Sequence, residues 1–408
     1  MRNLWFQLHW LLGISAGLVL AVMGITGAAL SFENELLRAF NPAATTVAAL
    51  REPMLSAPQL LERLAQSQPD RVVGSISLSN VPGRAARVGF LPPAKPGESG
   101  KPRGEGARRP PGAGGGPGAG RPRVDTRFAD PYTGTLIGRE DDLRGHAFLH
   151  FLEDVHRRLA ADDRGKAVTG ASTVVLLYLA GSGLYLRWPR RWRDLGAWFA
   201  VRWRMRSAPF LKNLHEVVGT WLLLPYLLMA LTGLWWSYEW YRNGVLSLTG
   251  STPPARAPMR EGGSAPAPSA QIEAAWSAFA QQVATTGGWS NVSFNVPAAD
   301  QPLVMSYVDA DPAHERANNR LVVDLASGAV REHERYDDKT VGGKLAASMF
   351  VLHKGSFFGL TGTIAMLLAS LAMPLFAVTG WMLYLKRRKR GALLHRAMSA
   401  EEEAGEPN

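Results

Sequence analysis

Four histidines stand at the margins of long apolar segments, and their surroundings sort them into pairs. His9 is followed by Gly13, Thr26-Gly27 and Ser31-Phe32-Glu33, and His215 by Gly219, Thr232-Gly233 and Ser237-Tyr238-Glu239, with the same offset from the histidine at each step. His156, in Val155-His156-Arg157-Arg158, lies 29 residues before Tyr185 of Leu184-Tyr185-Leu186-Arg187. His353, in Leu352-His353-Lys354-Gly355, lies 31 residues before Tyr384 of Leu383-Tyr384-Leu385-Lys386. An imidazole can move protons or ligate a metal, and at the edge of an apolar segment it is costly unless something uses it.

The elements that must position these side chains are membrane helices. Four windows, 10–32, 167–186, 217–236 and 359–385, carry no charged residue. Each is long enough to cross a hydrocarbon core of about 30 Å at about 1.5 Å per residue. Arg2 and the first window resemble a secretory signal, but the apolar run exceeds the usual core of about 7–15 residues. It also recurs inside the chain as the third window, so it is expected to be retained as a span.

Basic residues set the expected orientation. Arg187, Arg190, Arg191, Arg193, Arg202, Arg204, Arg206 and Lys212 crowd the short link between spans two and three, against the single acid Asp194. Lys386-Arg387-Arg388-Lys389-Arg390 follow span four. Both segments are expected in the cytoplasm, with both termini, while the two long loops face the periplasm. The net charge of +11 is therefore read as a topology signal and not as nucleic-acid binding. The absence of cysteine excludes disulfides, thiolate metal sites, iron–sulfur clusters and covalent c-type haem.

The repeat extends through the loops. Residues 56–68 and 269–283 have the apolar spacing of amphipathic helices. Strand-like runs follow with Asn80-Val81-Pro82 and Asn295-Val296-Pro297, and then Asp130 to Gly134 and Asp324 to Gly328 suit tight turns between strands. The expected fold is an α-helical integral membrane protein with four transmembrane helices, two periplasmic α+β modules and a tandem internal duplication. Its expected segments are span one at 1–32, module one at 33–166, span two at 167–187 and a basic cytoplasmic loop at 188–214. Span three at 215–240, module two at 241–357, span four at 358–386 and a cytoplasmic tail at 387–408 complete it. A Gly/Pro/Arg-rich insert at 92–123 is too poor in apolar residues to bury a core and is read as disordered.

Topology then pairs the imidazoles: His9 with His215 at the cytoplasmic ends of spans one and three, and His156 with His353 at the outer ends of spans two and four. Two imidazoles across a planar gap suit bis-histidine haem iron. Gly13, Gly17, Gly219 and Gly362 would let a flat macrocycle approach the helices. His150, and one turn earlier His146, are alternatives to His156 as the outer ligand. Arg157, Arg158 and Lys354 are equally suited to holding haem propionates or to being interface charges. His314, His333 and His395 read as solvated surface. No dinucleotide fingerprint, phosphate loop or Ser-His-Asp order is present, so a separate donor would have to supply electrons.

These pieces together resemble the PepSY-associated transmembrane family. The matching residues are His9-Trp-Leu-Leu-Gly13, Val155 to Arg158, Leu214-His215-Glu-Val-Val-Gly219, Leu352 to Gly355 and the two Asp-x-x-Thr/Ser-Gly turns. Within it the chain is similar to the FoxB-type inner-membrane reductases. That resemblance implies PepSY-like modules, two haem b groups on His9, His215, His156 and His353, and release of iron from an imported ferric siderophore or other ferric chelate. The implied setting is the bacterial inner membrane, with an unidentified cytoplasmic or membrane electron donor. The alternative class is a non-redox membrane protein whose modules bind a peptide or envelope partner, or an accessory for haem or siderophore transport.

Overall fold

The computed structural model describes residues 1–50, 52–92, 124–189, 192–251 and 265–404, with no side chains beyond 393. The Gly/Pro/Arg insert (Pro92 apart), Arg190, Arg191 and the His395 imidazole lie outside the described parts. The chain opens with α1 (Arg2–Leu30), α2 (Glu33–Phe40), α3 (Pro42–Thr45) and α4 (Ala57–Ser67). Strands β1 (Val73–Ser79), β2 (Ala86–Phe90), β3 (Asp125–Ala129) and β4 (Leu136–Arg139) follow. Next come α5 (His146–Arg158), α6 (Asp162–Arg187), α7 (Leu195–Phe199), α8 (Ser207–Trp221), α9 (Leu223–Ser237), α10 (Glu239–Leu248) and α11 (Ser269–Ala284). The chain ends with β5 (Trp289–Asn295), β6 (Leu303–Asp309), β7 (Asn318–Val323), β8 (Val330–Glu334), α12 (Val341–Lys354) and α13 (Gly359–Ala404). Contacts divide these into two units: one of Met1–Ser31, His150–Asn243 and Met349–Asn408, the other of Phe32–Leu149 and Gly244–Ser348.

The first unit is a bundle of apolar helices. α1, α6 and α13 are each long and apolar enough to cross a membrane, and α8 with α9 make a fourth span if the bent pair counts as one. The third expected span is therefore not straight. It bends by 62° between Trp221 and Leu223, because Pro225 has no N–H for the Trp221 carbonyl and its ring crowds that turn. The bundle centre is packed by Ala16, Leu20, Tyr226, Ala369 and Met373. The cation ending each Leu-Tyr-Leu motif ties its helix to α8: the Arg187 guanidinium donates to the Glu216 carbonyl and Thr220 hydroxyl, and Lys386 Nζ donates to Ser207 Oγ at 2.6 Å.

A second proline sets how closely α1 and α13 approach. Pro374 offers no N–H to the Ser370 carbonyl, and that carbonyl faces Gly24. A Cβ on Gly24 would lie 2.6 Å from the Ser370 oxygen and 2.5 Å from Met373 Cβ. Backbone contact through a small residue is the usual close packing of membrane helices. Gly24→Ala is accordingly expected to destabilise the detergent-purified protein by about 1–3 kcal/mol, the usual cost of overpacking. An unchanged unfolding midpoint would show that the two helices can part there without loss.

The second unit is built on one antiparallel sheet in the order β4-β3-β2-β1-β5-β6-β7-β8. Each four-stranded half carries one helix, α4 or α11, and together they bury Leu60, Leu64, Ile76, Phe90, Phe279, Phe294, Met305 and Tyr307. The helix at α4 starts on a capping box, with Ser56 and Gln59 each accepting from the other's backbone N–H. The two Asp-to-Gly segments are tight turns of matching geometry between β3 and β4 and between β7 and β8. Asp130 and Asp324 each accept backbone N–H groups two and three residues on, and Gly134 and Gly328 take positive φ of 77° and 70°. In the second turn, the Ser327 N–H and the Arg331 guanidinium hold the Asp324 carboxyl down to about 2. The two halves are not separate modules side by side. β1 pairs with β5 in the register Ser75↔Asn295, Ser77↔Ser293 and Ser79↔Asn291, which makes the sheet continuous.

Candidate functional site

Within the helical unit the four histidines come together as two pairs. The rings of His9 and His215 have centres 6.4 Å apart with planes at 72°, and those of His156 and His353 have centres 6.3 Å apart with planes at 70°. His9 lies about two turns into α1, and the second pair lies against that helix's far end, since His156 Nδ1 is 2.9 Å from the Met23 carbonyl and 3.2 Å from Thr26 Oγ1. The pairs thus sit at opposite ends of the bundle. His9 and Thr26 are 17 residues apart on one helix, about 25 Å at about 1.5 Å per residue. His156 and His353 end the short helices α5 and α12 just before the turns into α6 and α13. Gly355 makes the second of these turns at φ 87°, whereas Leu159 and Ala160 take φ 51° and 52° in the first.

Every one of the four imidazoles has a buried hydroxyl on Nδ1. The pairs are His9 with Ser182 (2.7 Å), His215 with Thr379 (2.7 Å), His156 with Thr26 (3.2 Å) and His353 with Thr232 (2.9 Å). The threonines give their own hydrogen to helix carbonyls: Thr26 to Val22 at 2.8 Å, Thr232 to Leu228 at 2.6 Å and Thr379 to Leu375 at 2.7 Å. Ser182 makes the longer equivalent to Leu179 at 3.4 Å. A hydroxyl has one hydrogen, so each threonine that donates to its helix carbonyl is left to accept from Nδ1–H. At His156 the carbonyl of Met23, an acceptor only, requires the same tautomer. Nε2 is then the nitrogen with the free lone pair.

Each hydroxyl is followed by glycine. A Cβ on Gly27 would meet His156 Cε1 at 3.0 Å, one on Gly183 would meet His9 Cε1 at 3.4 Å, and one on Gly233 would meet His353 Cε1 at 3.6 Å. Gly380 has nothing within 4 Å. Gly27, Gly183 and Gly233 thus lie where a side chain would crowd a ring. A Cβ on Gly17 would lie 3.7 Å from Ala377, one on Gly13 3.8 Å from Leu179, one on Gly219 3.5 Å from Phe376, and one on Gly362 would run into the Gly355 carbonyl. Small residues at such places let membrane helices approach closely.

The other expectations resolve individually. The ring opposite His353 is that of His156, while His150 is exposed on α5 and His146 begins that helix. Arg157 and Arg158 pair with Glu153 and Asp154 one turn back on their own helix, at 2.7 and 3.9 Å. His314 is not solvated surface: it is 6 % exposed, and its Nε2 lies 2.9 Å from Ser348 Oγ and 3.0 Å from the Tyr336 hydroxyl. His333 Nε2 is likewise engaged, 2.6 Å from the hydroxyl of Tyr307, a phenol that burial pushes up to about 12. Both are held by partners distant in sequence, an arrangement that a loop sequence does not display.

The separation within each pair bears directly on metal ligation. An imidazole nitrogen binds a metal at about 2.0–2.1 Å, and with about 1.1 Å from nitrogen to ring centre, two opposed imidazoles on one ion have centres about 6.3 Å apart. Both observed separations fit an ion held between the rings. Among the described residues, no group of three or more His, Asp or Glu is placed to hold a metal ion. Between the pairs lie apolar and aromatic side chains, with Phe376 5.0 Å from His215 and 5.6 Å from Tyr226, centre to centre, and Trp236 5.5 Å from His353.

The sequence profile of the PepSY-associated TM region matches residues 6–387 of the chain. The protein belongs to this PepSY-associated family. With its apolar helices, this makes it a multi-pass membrane protein that carries a separate antiparallel sheet unit. The match takes in all four paired histidines and all four hydroxyl–glycine dipeptides. Comparison with curated proteins gives no match.

Proposed function

We propose that this PepSY-associated protein is a b-type di-haem oxidoreductase that passes electrons across the bacterial inner membrane to a ferric chelate, such as a ferric siderophore, on the periplasmic side. The observation that carries the proposal is the spacing of the two histidine pairs, 6.4 and 6.3 Å, close to that of two imidazoles sharing one metal. His9 and His215 would hold one haem and His156 and His353 the other. Haem iron, when bound, supplies one-electron exchange without a proton or an atom changing hands.

The chain's own residues then have defined work. The hydroxyls hold each imidazole in one orientation. The apolar packing around Tyr226 and Met373 excludes water from the middle of the bundle. The basic residues of 187–212 and 386–390 mark the His9 and His215 end as cytoplasmic, where a separate donor delivers electrons. At the far end Fe(III) in the chelate takes up one electron and becomes Fe(II), which hard oxygen donors hold far less tightly.

Absorption spectroscopy of the purified protein tests this. A Soret band, a sharp α band on dithionite reduction and reoxidation by a ferric chelate are the expected results. Colourless protein after expression with ample haem would return the reading to a non-redox membrane protein that binds peptide or envelope partners.

A further inference from the structure

Resting on that haem reading, we infer that the four hydroxyl–glycine dipeptides, Thr26-Gly27, Ser182-Gly183, Thr232-Gly233 and Thr379-Gly380, are positioning residues for the axial histidines. They fix which nitrogen each histidine presents, and they set the two haem potentials separately.

The arrangement is reciprocal between neighbouring helices. α1 carries His9 and also the seat for His156, while α6, which follows His156, carries the seat for His9. The same exchange links α8–α9, with His215 and Thr232, to the α12–α13 segment, with His353 and Thr379. A Ser or Thr bonding back to its helix carbonyl is ordinary in apolar helices. That habit alone does not place an imidazole Nδ1 on the hydroxyl in all four cases, nor a glycine beside each.

The chemistry follows from the direction of the bonds. An acceptor on Nδ1–H draws that hydrogen away, enriches the ring in electron density and makes Nε2 a stronger donor to ferric iron. A stronger donor favours the oxidised metal and lowers its potential. The two ends are not equal in this respect. His156 Nδ1 faces the Met23 carbonyl at 2.9 Å as well as Thr26, whereas His9 and His215 each have a single hydroxyl. The His156–His353 site is therefore expected to have the lower potential of the two. Since Thr26 and Thr232 touch only that pair, and Ser182 and Thr379 only the other, each potential can be moved alone.

Redox titration and electron paramagnetic resonance of the full-length protein test the inference, using Thr232→Val and Thr379→Val with Thr232→Ser and Thr379→Ser as conservative partners. Each valine variant is expected to raise the midpoint of one haem, a different one in the two variants, or to weaken that haem's binding about 10–100-fold, the usual cost of losing an outer-shell partner. Each serine variant is expected to restore the wild-type values. Midpoints that stay put, move together or respond equally to serine and valine would overturn the inference while leaving the haem reading intact. A wild-type protein with no haem would sink both.

Discussion

Purified His353→Ala protein is expected to keep one haem and lose the other, with the same outcome for His156→Ala and the opposite haem lost from His9→Ala or His215→Ala. Of the other three histidines His353 faces only His156, at 6.3 Å, and the other pair stands at the opposite end of the bundle. Removing a ligand should cost more than the roughly 10–100-fold that losing its outer-shell partner does, so one site empties while the other keeps its absorption. Electron delivery to an external ferric chelate should then fall to background in all four variants, because the path needs both ends. Haem content separates this from general misfolding. Single variants that lose both haems, or neither, would contradict the assignment of two independent sites.

A second large effect is expected at His314, in the sheet unit. Its Nδ1 accepts the Arg316 N–H at 3.1 Å, so Nε2 carries the hydrogen that faces Ser348 and Tyr336. His314→Ala leaves those two hydroxyls short of a partner in a buried place and opens a cavity, for a loss of about 2–4 kcal/mol. Burial holds the His314 imidazole below its ordinary value near 6.5. The unfolded chain therefore binds a proton first, and stability drains away as the pH falls from about 6.5 towards the folded value. Chemical unfolding of the wild type should weaken over that acidic interval, and His314→Gln should be flatter there. An identical pH profile in the two proteins would mean that His314 is not the group responsible.

The membrane helices were legible because uncharged runs of this length have few alternatives in any fold. The histidine pairs were legible from matched offsets, which join the same residues whose rings stand side by side in the fold. Thr26 and Thr232 stood in the same matched pattern, but a Thr-Gly pair in an apolar helix reads as packing. Ser182 and Thr379 were harder to see, since the chain between each and its Leu-Tyr-Leu motif differs by two residues. The bend after Trp221 had a visible cause in Pro225, yet the continuous hydropathy of 217–236 hid it. Least visible was the union of the two sheets. Each loop read alone suggests a self-contained module, and nothing in 73–79 announces that its partner lies more than two hundred residues away.

That union has a consequence in time. β1 leaves the ribosome long before β5, the strand that covers its open edge, and α6, α8 and α9 must be made in between. At about 5–20 residues per second, the first half-sheet waits on the order of ten seconds or more with an unpaired strand exposed, a template for wrong partners. The chain thus has an obligatory interval of vulnerability during its manufacture. A holding chaperone would matter most then, and slowing the ribosome between the halves would lengthen it.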